Sequence, residues 1–113
     1  MLNRSYDGQN CPIARALEVV GERWTLLIVR DALLGPRRFD QLQESLGIAR
    51  NVLTARLNRL VEEGVLERVR YSERPPRDEY RLTAKGRELE SALTALRRWG
   101  DKHAAKQRRP AAA

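Results

Sequence analysis

Residues 39–64 read FDQLQESLGIARNVLTARLNRLVEEG, and residues 65–82 continue VLERVRYSERPPRDEYRL. Two short apolar rhythms of helical spacing fill the first stretch. Phe39, Leu42 and Leu46 mark one helix, and Gly47 stands where a helix end favours a left-handed residue. Leu53, Leu57, Leu60 and Val61 share one face of a second helix from about Arg50 to Glu63, with Gly64 as its stop. Helix, glycine-containing turn and helix make a helix-turn-helix. After Gly64 the period drops to two. Val69 and Tyr71 share a face, as do Tyr80 and Leu82 on the opposing run. Between them, Ser72 to Asp78 includes two prolines that cannot donate to a sheet. The expectation is a long β-hairpin with a basic, proline-stiffened tip, and a helix-turn-helix followed by such a hairpin is a winged helix.

Upstream, Pro12 is suited to opening a helix, since the N–H it lacks would be unpaired there anyway. Ile13, Ala16, Leu17 and Val20 recur at helical spacing until Gly21. A further helix from about Trp24 to Leu34 is apolar almost all round, which predicts burial at the domain centre, and Gly35-Pro36 ends it. Downstream, Thr83 or Ala84 opens a last helix, with Leu89, Leu93, Leu96, Trp99 and His103 along one side. The predicted fold is mostly α with a small β-hairpin (α+β), organised as a winged helix-turn-helix flanked by N- and C-terminal helices. The predicted boundaries are an arm over residues 1–10, a domain over 11–105 and a basic, unstructured tail over 106–113.

The 113 residues suit one domain, whose modest core would gain from oligomerisation. A formal net charge of +7 favours polyanionic partners. The second helix of the helix-turn-helix has its apolar face committed to the core, so only its outer face is free for a major groove. That face presents Asn51, Ala55, Asn58 and Arg59 as candidates for base edges, flanked by Val52, Thr54 and Arg56. Asparagine pairs with adenine, arginine with guanine, and small apolar groups touch thymine methyls. From Arg50 to Arg59 there are three arginines, two asparagines and no acid. Arg37, Arg38, Arg50, Thr54, Arg56, Arg74 and Arg77 are candidates for the DNA backbone, the last two at the hairpin tip. Glu73 and Asp78 would weaken the positive field of that tip. A solvated polar face is the bland alternative for any such helix, and the lack of acids speaks against it here.

From Cys11 to about Trp99 the chain resembles the HxlR-type family of winged-helix regulators. The resemblance rests on Cys11-Pro12, Gly21-Glu22-Arg23-Trp24, Arg38-Phe39 with Gln41-Leu42, and Gly47-Ile48. It continues through Leu53-Thr54, Arg56-Leu57, Glu63-Gly64, Pro75-Pro76-Arg77, Glu79-Tyr80, Leu82-Thr83, Gly86 and Trp99-Gly100. It implies a DNA-binding dimer that regulates transcription, with dimer contacts from the arm, the first helix and the last helix. Candidate interface residues are therefore Ile13, Leu17, Leu89, Leu93, Leu96 and Trp99, of which the last four make a stripe too apolar for an exposed helix. Packing of the last-helix stripe on the chain's own core is the alternative, and the two are compatible. A two-fold dimer would read a pseudo-palindromic duplex. Two positions depart from pattern. Ala49 stands where capping chemistry favours Ser or Thr, and Asp78 where the family is more often apolar.

Cys11 precedes Pro12 at the start of the first helix. Helix N–H groups and nearby arginines such as Arg15 would favour the reactive thiolate. In some members of the resembling family a cysteine here senses oxidants or electrophiles. A small side chain packed near a dimer seam is the other reading, and the residues leave both open. With one cysteine, no intramolecular disulfide or multi-cysteine metal site can form. No metal or cofactor is expected, and no set of residues identifies an effector. His103, the single histidine, has no nucleophile arranged beside it, so catalysis is not expected. No apolar run approaches a membrane span, and residues 1–10 are polar, which makes the cytoplasm the expected location. The competing functional reading is a winged helix used for protein contacts without a DNA site of its own.

Overall fold

The computed structural model describes residues 10–104. The expected arm falls outside that range apart from Asn10, and the expected tail lies wholly outside it. Among the described residues the order is α1 (Pro12–Val20), α2 (Thr25–Leu33), α3 (Phe39–Leu46), α4 (Arg50–Glu62), β1 (Leu66–Glu73), β2 (Pro76–Leu82), α5 (Ala84–Arg87) and α6 (Glu90–His103). Ile28, Leu42, Leu53, Leu57, Leu60 and Leu66 are completely enclosed, so α2, α3, α4 and the hairpin root share one core.

Trp24, expected inside α2, instead precedes it with φ 81, in the left-handed region. For a bulky residue that conformation costs about 1–3 kcal/mol. The half-buried indole offsets the cost by packing on the core, with the Arg23 guanidinium 4.9 Å from its ring centroid. Burial of α2 on every side is not found. Ile28, Val29 and Ala32 face inward, whereas Leu27 and Leu34 are exposed. The Leu27 side opens onto a groove shared with Leu93 and Leu96 of α6. Buried Asp31 ties α2 to α3: it accepts hydrogen bonds from Arg30 Nε at 3.0 Å and Ser45 Oγ at 2.7 Å.

Gly47 closes α3 at φ 64, its N–H donating to the Gln43 carbonyl at 2.9 Å. Ala49 opens α4 without a side-chain cap, as its sequence position foretells. At the far end Gly64 takes φ 75, and the next N–H, of Val65, reaches back to the Leu60 carbonyl at 2.9 Å. Lys85 Nζ adds a charged cap on the Glu63 carbonyl at 2.6 Å. Both ends of α4 are thus where the glycines place them.

The strands pair antiparallel, with Leu66 opposite Leu82 and Arg68 opposite Tyr80, and the register slips between Arg70 and Ser72. Strand pairing extends further than the sequence suggests. The ladder runs out to Glu73 opposite Pro76, so only Arg74-Pro75 remains as a loop rather than the whole of Ser72–Asp78. Pro76 is tolerated because it is the first residue of its strand. Arg37 adds a bridge against Tyr80, each N–H donating to the other's carbonyl, at 2.9 and 2.7 Å.

The expected single C-terminal helix is two. Thr83 caps α5, its Oγ accepting from the Gly86 N–H at 3.0 Å. Near Glu88 and Leu89 the hydrogen bonds shorten to three-residue closure, and α6 begins only at Glu90. Leu89 and Leu93 are half-buried against the chain's own core, while Leu96 and Trp99 remain 52% and 62% exposed. The predicted apolar stripe therefore divides, its first half packed inward and its second half open.

Candidate DNA interface

On α4, the enclosed Leu53, Leu57 and Leu60 turn Asn51, Ala55 and Asn58 to the exposed side. At the N-terminal end Arg50 lies over the Phe39 ring at 4.7 Å, a cation–π contact that holds its stem beside α3. Thr54 Oγ1 donates to the Arg50 carbonyl at 2.9 Å, which keeps this hydroxyl close to its own helix. Arg50, Thr54 and Asn58 form one wall of a cleft of about 330 Å³. Arg68, Asp78 and Tyr80 of the hairpin form the other wall, with Phe39 beside Arg50. One side of α4 and one side of the hairpin therefore flank the same opening.

The tip acids Glu73 and Asp78 are engaged by hairpin arginines. Arg70 Nε is 2.7 Å from Asp78 Oδ1 and its Nη1 3.5 Å from Glu73 Oε1, while Arg68 Nε is 3.4 Å from Asp78 Oδ2. The Arg68 guanidinium also lies 5.8 Å from the Tyr80 ring centroid. These pairs offset the negative charge that Glu73 and Asp78 bring to the tip. Among the described residues, Arg74 and Arg77 have no ion pair and stand exposed at the end of the hairpin. Arg68 and Arg70 were not candidates on sequence. Cross-strand charge alternation was the available signal, but the proline-rich segment obscured the register.

Not every predicted residue joins this surface. Arg37 is half-buried, and its backbone is spent on the Tyr80 bridge, although its Nη1 reaches only its neighbour's carbonyl, Pro36, at 3.2 Å. Arg38 starts α3, with its N–H held by Gln41 Oε1 at 2.9 Å and its Nε 3.5 Å from Asp40. Arg56 and Arg59 depart furthest from expectation. Arg56 Nε donates to the Arg23 carbonyl at 3.1 Å, and Arg59 Nη2 to the Glu18 carbonyl at 3.2 Å. Both guanidinium groups point to α1 and its corner with α2, away from Asn51 and Ala55. Cys11 is exposed at the start of α1, and Arg15, expected to attend its sulfur, donates to Asn10 Oδ1 at 3.1 Å instead. Among the described residues no group of three or more His, Cys, Asp or Glu side chains is placed to hold a metal ion, and no helix is long and apolar enough to cross a membrane.

Residues 19–108 match the family model for the HxlR-like helix-turn-helix. The chain belongs to this family. Similarity to an HxlR-like relative is strong: Rv3095 of Mycobacterium tuberculosis, an uncharacterized HTH-type transcriptional regulator, is 52% identical over 102 residues. That alignment covers 90% of this chain but 63% of the relative, so the HxlR-like chain spans less than two thirds of that protein's length. The redox regulator HypR in its oxidised form superposes with a TM-score of 0.78 at 30% identity, over 85% of this chain and 100% of HypR. The transcriptional regulator YodB from B. subtilis, in its reduced form, gives a TM-score of 0.73 at 29% identity, over 88% of this chain and 100% of YodB. The winged-helix architecture expected from residues 39–82 is therefore shared with solved regulators, and the family suggested by the sequence is the family found.

Proposed function

We propose that this HxlR-like chain binds duplex DNA sequence-specifically as a homodimer and regulates transcription in the cytoplasm. In this reading α4 enters the major groove and β1–β2 acts as the wing. One observation carries it: the exposed side of α4 from Arg50 to Asn58 holds no acid and shares a cleft with a hairpin whose tip acids, Glu73 and Asp78, are paired with hairpin arginines. Asn51, Ala55 and Asn58 would meet base edges, while Arg50, Arg74 and Arg77 would meet phosphates. The protein acts by binding rather than by catalysis, with the HxlR-like fold as its domain over residues 11–105. Dimerisation would cover Ile13, Leu17, Leu96 and Trp99, exposed by 71%, 38%, 52% and 62%. Four large apolar side chains open to water on two helices favour association with a second copy.

Exposed Cys11 and the likeness to a redox regulator support thiol modification as an input. The test is titration of the purified protein with its own upstream DNA and with a scrambled duplex, at two salt concentrations, before and after diamide. The expected result is saturable, salt-sensitive preference for the upstream duplex that weakens at least about tenfold after oxidation, against no change in Cys11→Ser. Specific binding by the wild type that is indifferent to diamide would remove the thiol input and leave DNA reading in place. Absence of binding to any duplex at low salt would favour a protein-contact module instead.

A further inference from the structure

The two arginines on the α1-facing flank of α4 form a seam. Arg56 donates through Nε to the Arg23 carbonyl at 3.1 Å, and its Nη1 lies 3.4 Å from Glu22 Oε1. Only 20% of this side chain remains exposed, and its Nε and Nη1 both have partners on the α1–α2 corner. Arg59 donates through Nη2 to the Glu18 carbonyl at 3.2 Å and is steadied by Glu63 Oε2, 3.1 Å from its Nε.

The acceptors explain why these contacts matter. Glu18 lies in the last turn of α1, the end at which the helix dipole places partial negative charge. α1 has no basic residue of its own in that turn, and Arg59 supplies one from another helix. The Arg23 carbonyl immediately precedes Trp24, the described non-glycine residue with positive φ. Arg56 therefore grips the corner at its strained point. Together the two side chains fix α4 against the end of α1 and against the α1–α2 corner.

We infer that Arg56 and Arg59 are positioning residues for DNA recognition, setting the rotation of α4 without touching DNA themselves. This rests on the reading that α4 enters the groove. Base-edge hydrogen bonds weaken steeply as their angles depart from linearity, whereas a charge near a phosphate tolerates displacement. Loosening the seam should therefore erode discrimination between sequences before it erodes general affinity.

The experiment uses duplexes enriched from a random library by the wild-type protein, with a scrambled duplex for comparison, titrated over a salt series. Arg56→Met and Arg59→Met keep apolar stems and remove the donors, and Arg74→Met serves as the phosphate-type control. Each seam variant is expected to lower the enriched-over-scrambled affinity ratio by about tenfold, the order of one lost base contact, with an unchanged salt slope on the scrambled duplex. Arg74→Met should reduce that slope by about 0.9 and retain the ratio. A seam variant that behaves like Arg74→Met, or that changes neither quantity, overturns the inference. Should the methionine variants fail to fold, Glu22→Gln decides by sign. It leaves the Arg56 charge in place, so a DNA-contacting Arg56 would bind more tightly, whereas a positioning Arg56 would lose discrimination. A wild-type protein that enriches no duplex contradicts the DNA reading and this inference with it; discrimination by the wild type that survives in the seam variants contradicts the inference alone.

Discussion

Gly86→Ala is expected to destabilise the fold by about 3 kcal/mol, the upper end of the range for overpacking. Gly86 is buried in α5, and a Cβ there would collide with the Val65 carbonyl and stand 2.9 Å from Leu82 Cδ2. The carbonyl has little room to retreat, because it accepts from the Thr83 N–H at 3.1 Å and from Thr83 Oγ1 at 3.2 Å. The Thr83 hydroxyl proton is shared with the Gly64 carbonyl, the nearer acceptor at 2.5 Å, beside the end of α4. Relief would thus require α5 to lift from the hairpin root, uncovering Leu82 and loosening the cap on α4. Urea unfolding should show a lower midpoint at unchanged slope. The thermal midpoint should fall by on the order of 15 °C for a domain of this size. A Gly86→Ala protein with the stability of the parent would mean that α5 does not approach Val65 as closely as described.

Replacing Leu96 and Trp99 together by Glu is expected to convert the proposed dimer to monomer and to weaken operator binding at least about a hundredfold. Trp99 is 62% exposed, and covering that share of the about 150–250 Å² a tryptophan buries is worth roughly 2–4 kcal/mol of apolar transfer. An unpaired carboxylate in its place would carry a desolvation cost instead. Neither position is needed by the isolated fold, since both side chains stand open on α6, a helix with no buried residue. Circular dichroism of the variant should match the parent, and sedimentation should give the mass of one chain. Loss of the second half-site contact then accounts for the loss in affinity. A variant that still sediments as a dimer would shift the interface away from α6.

The parts of the fold that sequence made legible are those where a period or a glycine carries the information. Leu53, Leu57 and Leu60 define the inner face of α4, and Gly47 and Gly64 define the turns around it. What stayed hidden depends on partners distant in sequence. Arg56 and Arg59 have the composition of a DNA-binding face, and nothing local shows that their long stems carry the guanidinium groups back to α1. Strand pairing runs further toward the hairpin tip than the sequence suggests, because prolines and charges mask an alternating pattern that cross-strand pairs such as Arg70–Asp78 sustain. The interruption between α5 and α6 lacks a helix-breaking residue; it arises where Leu89 N–H closes on the Gly86 carbonyl at 3.0 Å. Leu89 and Leu93 continue the stripe of Leu96 and Trp99 in spacing, so periodicity alone does not divide those facing the core from those left open.

The most direct test of the claim that α4 reads DNA is to enrich duplexes from a random library with the wild-type protein and with Asn51→Ala, and to compare base preferences position by position. Asn51 is exposed and has no structural bond to lose, so thermal stability should not change. The account predicts relaxed preference at one base pair in each half-site, with a loss of about 1–3 kcal/mol on the wild type's best duplex and an unaltered salt slope. Identical preference profiles for the two proteins would contradict it and place sequence reading elsewhere than on this face of α4.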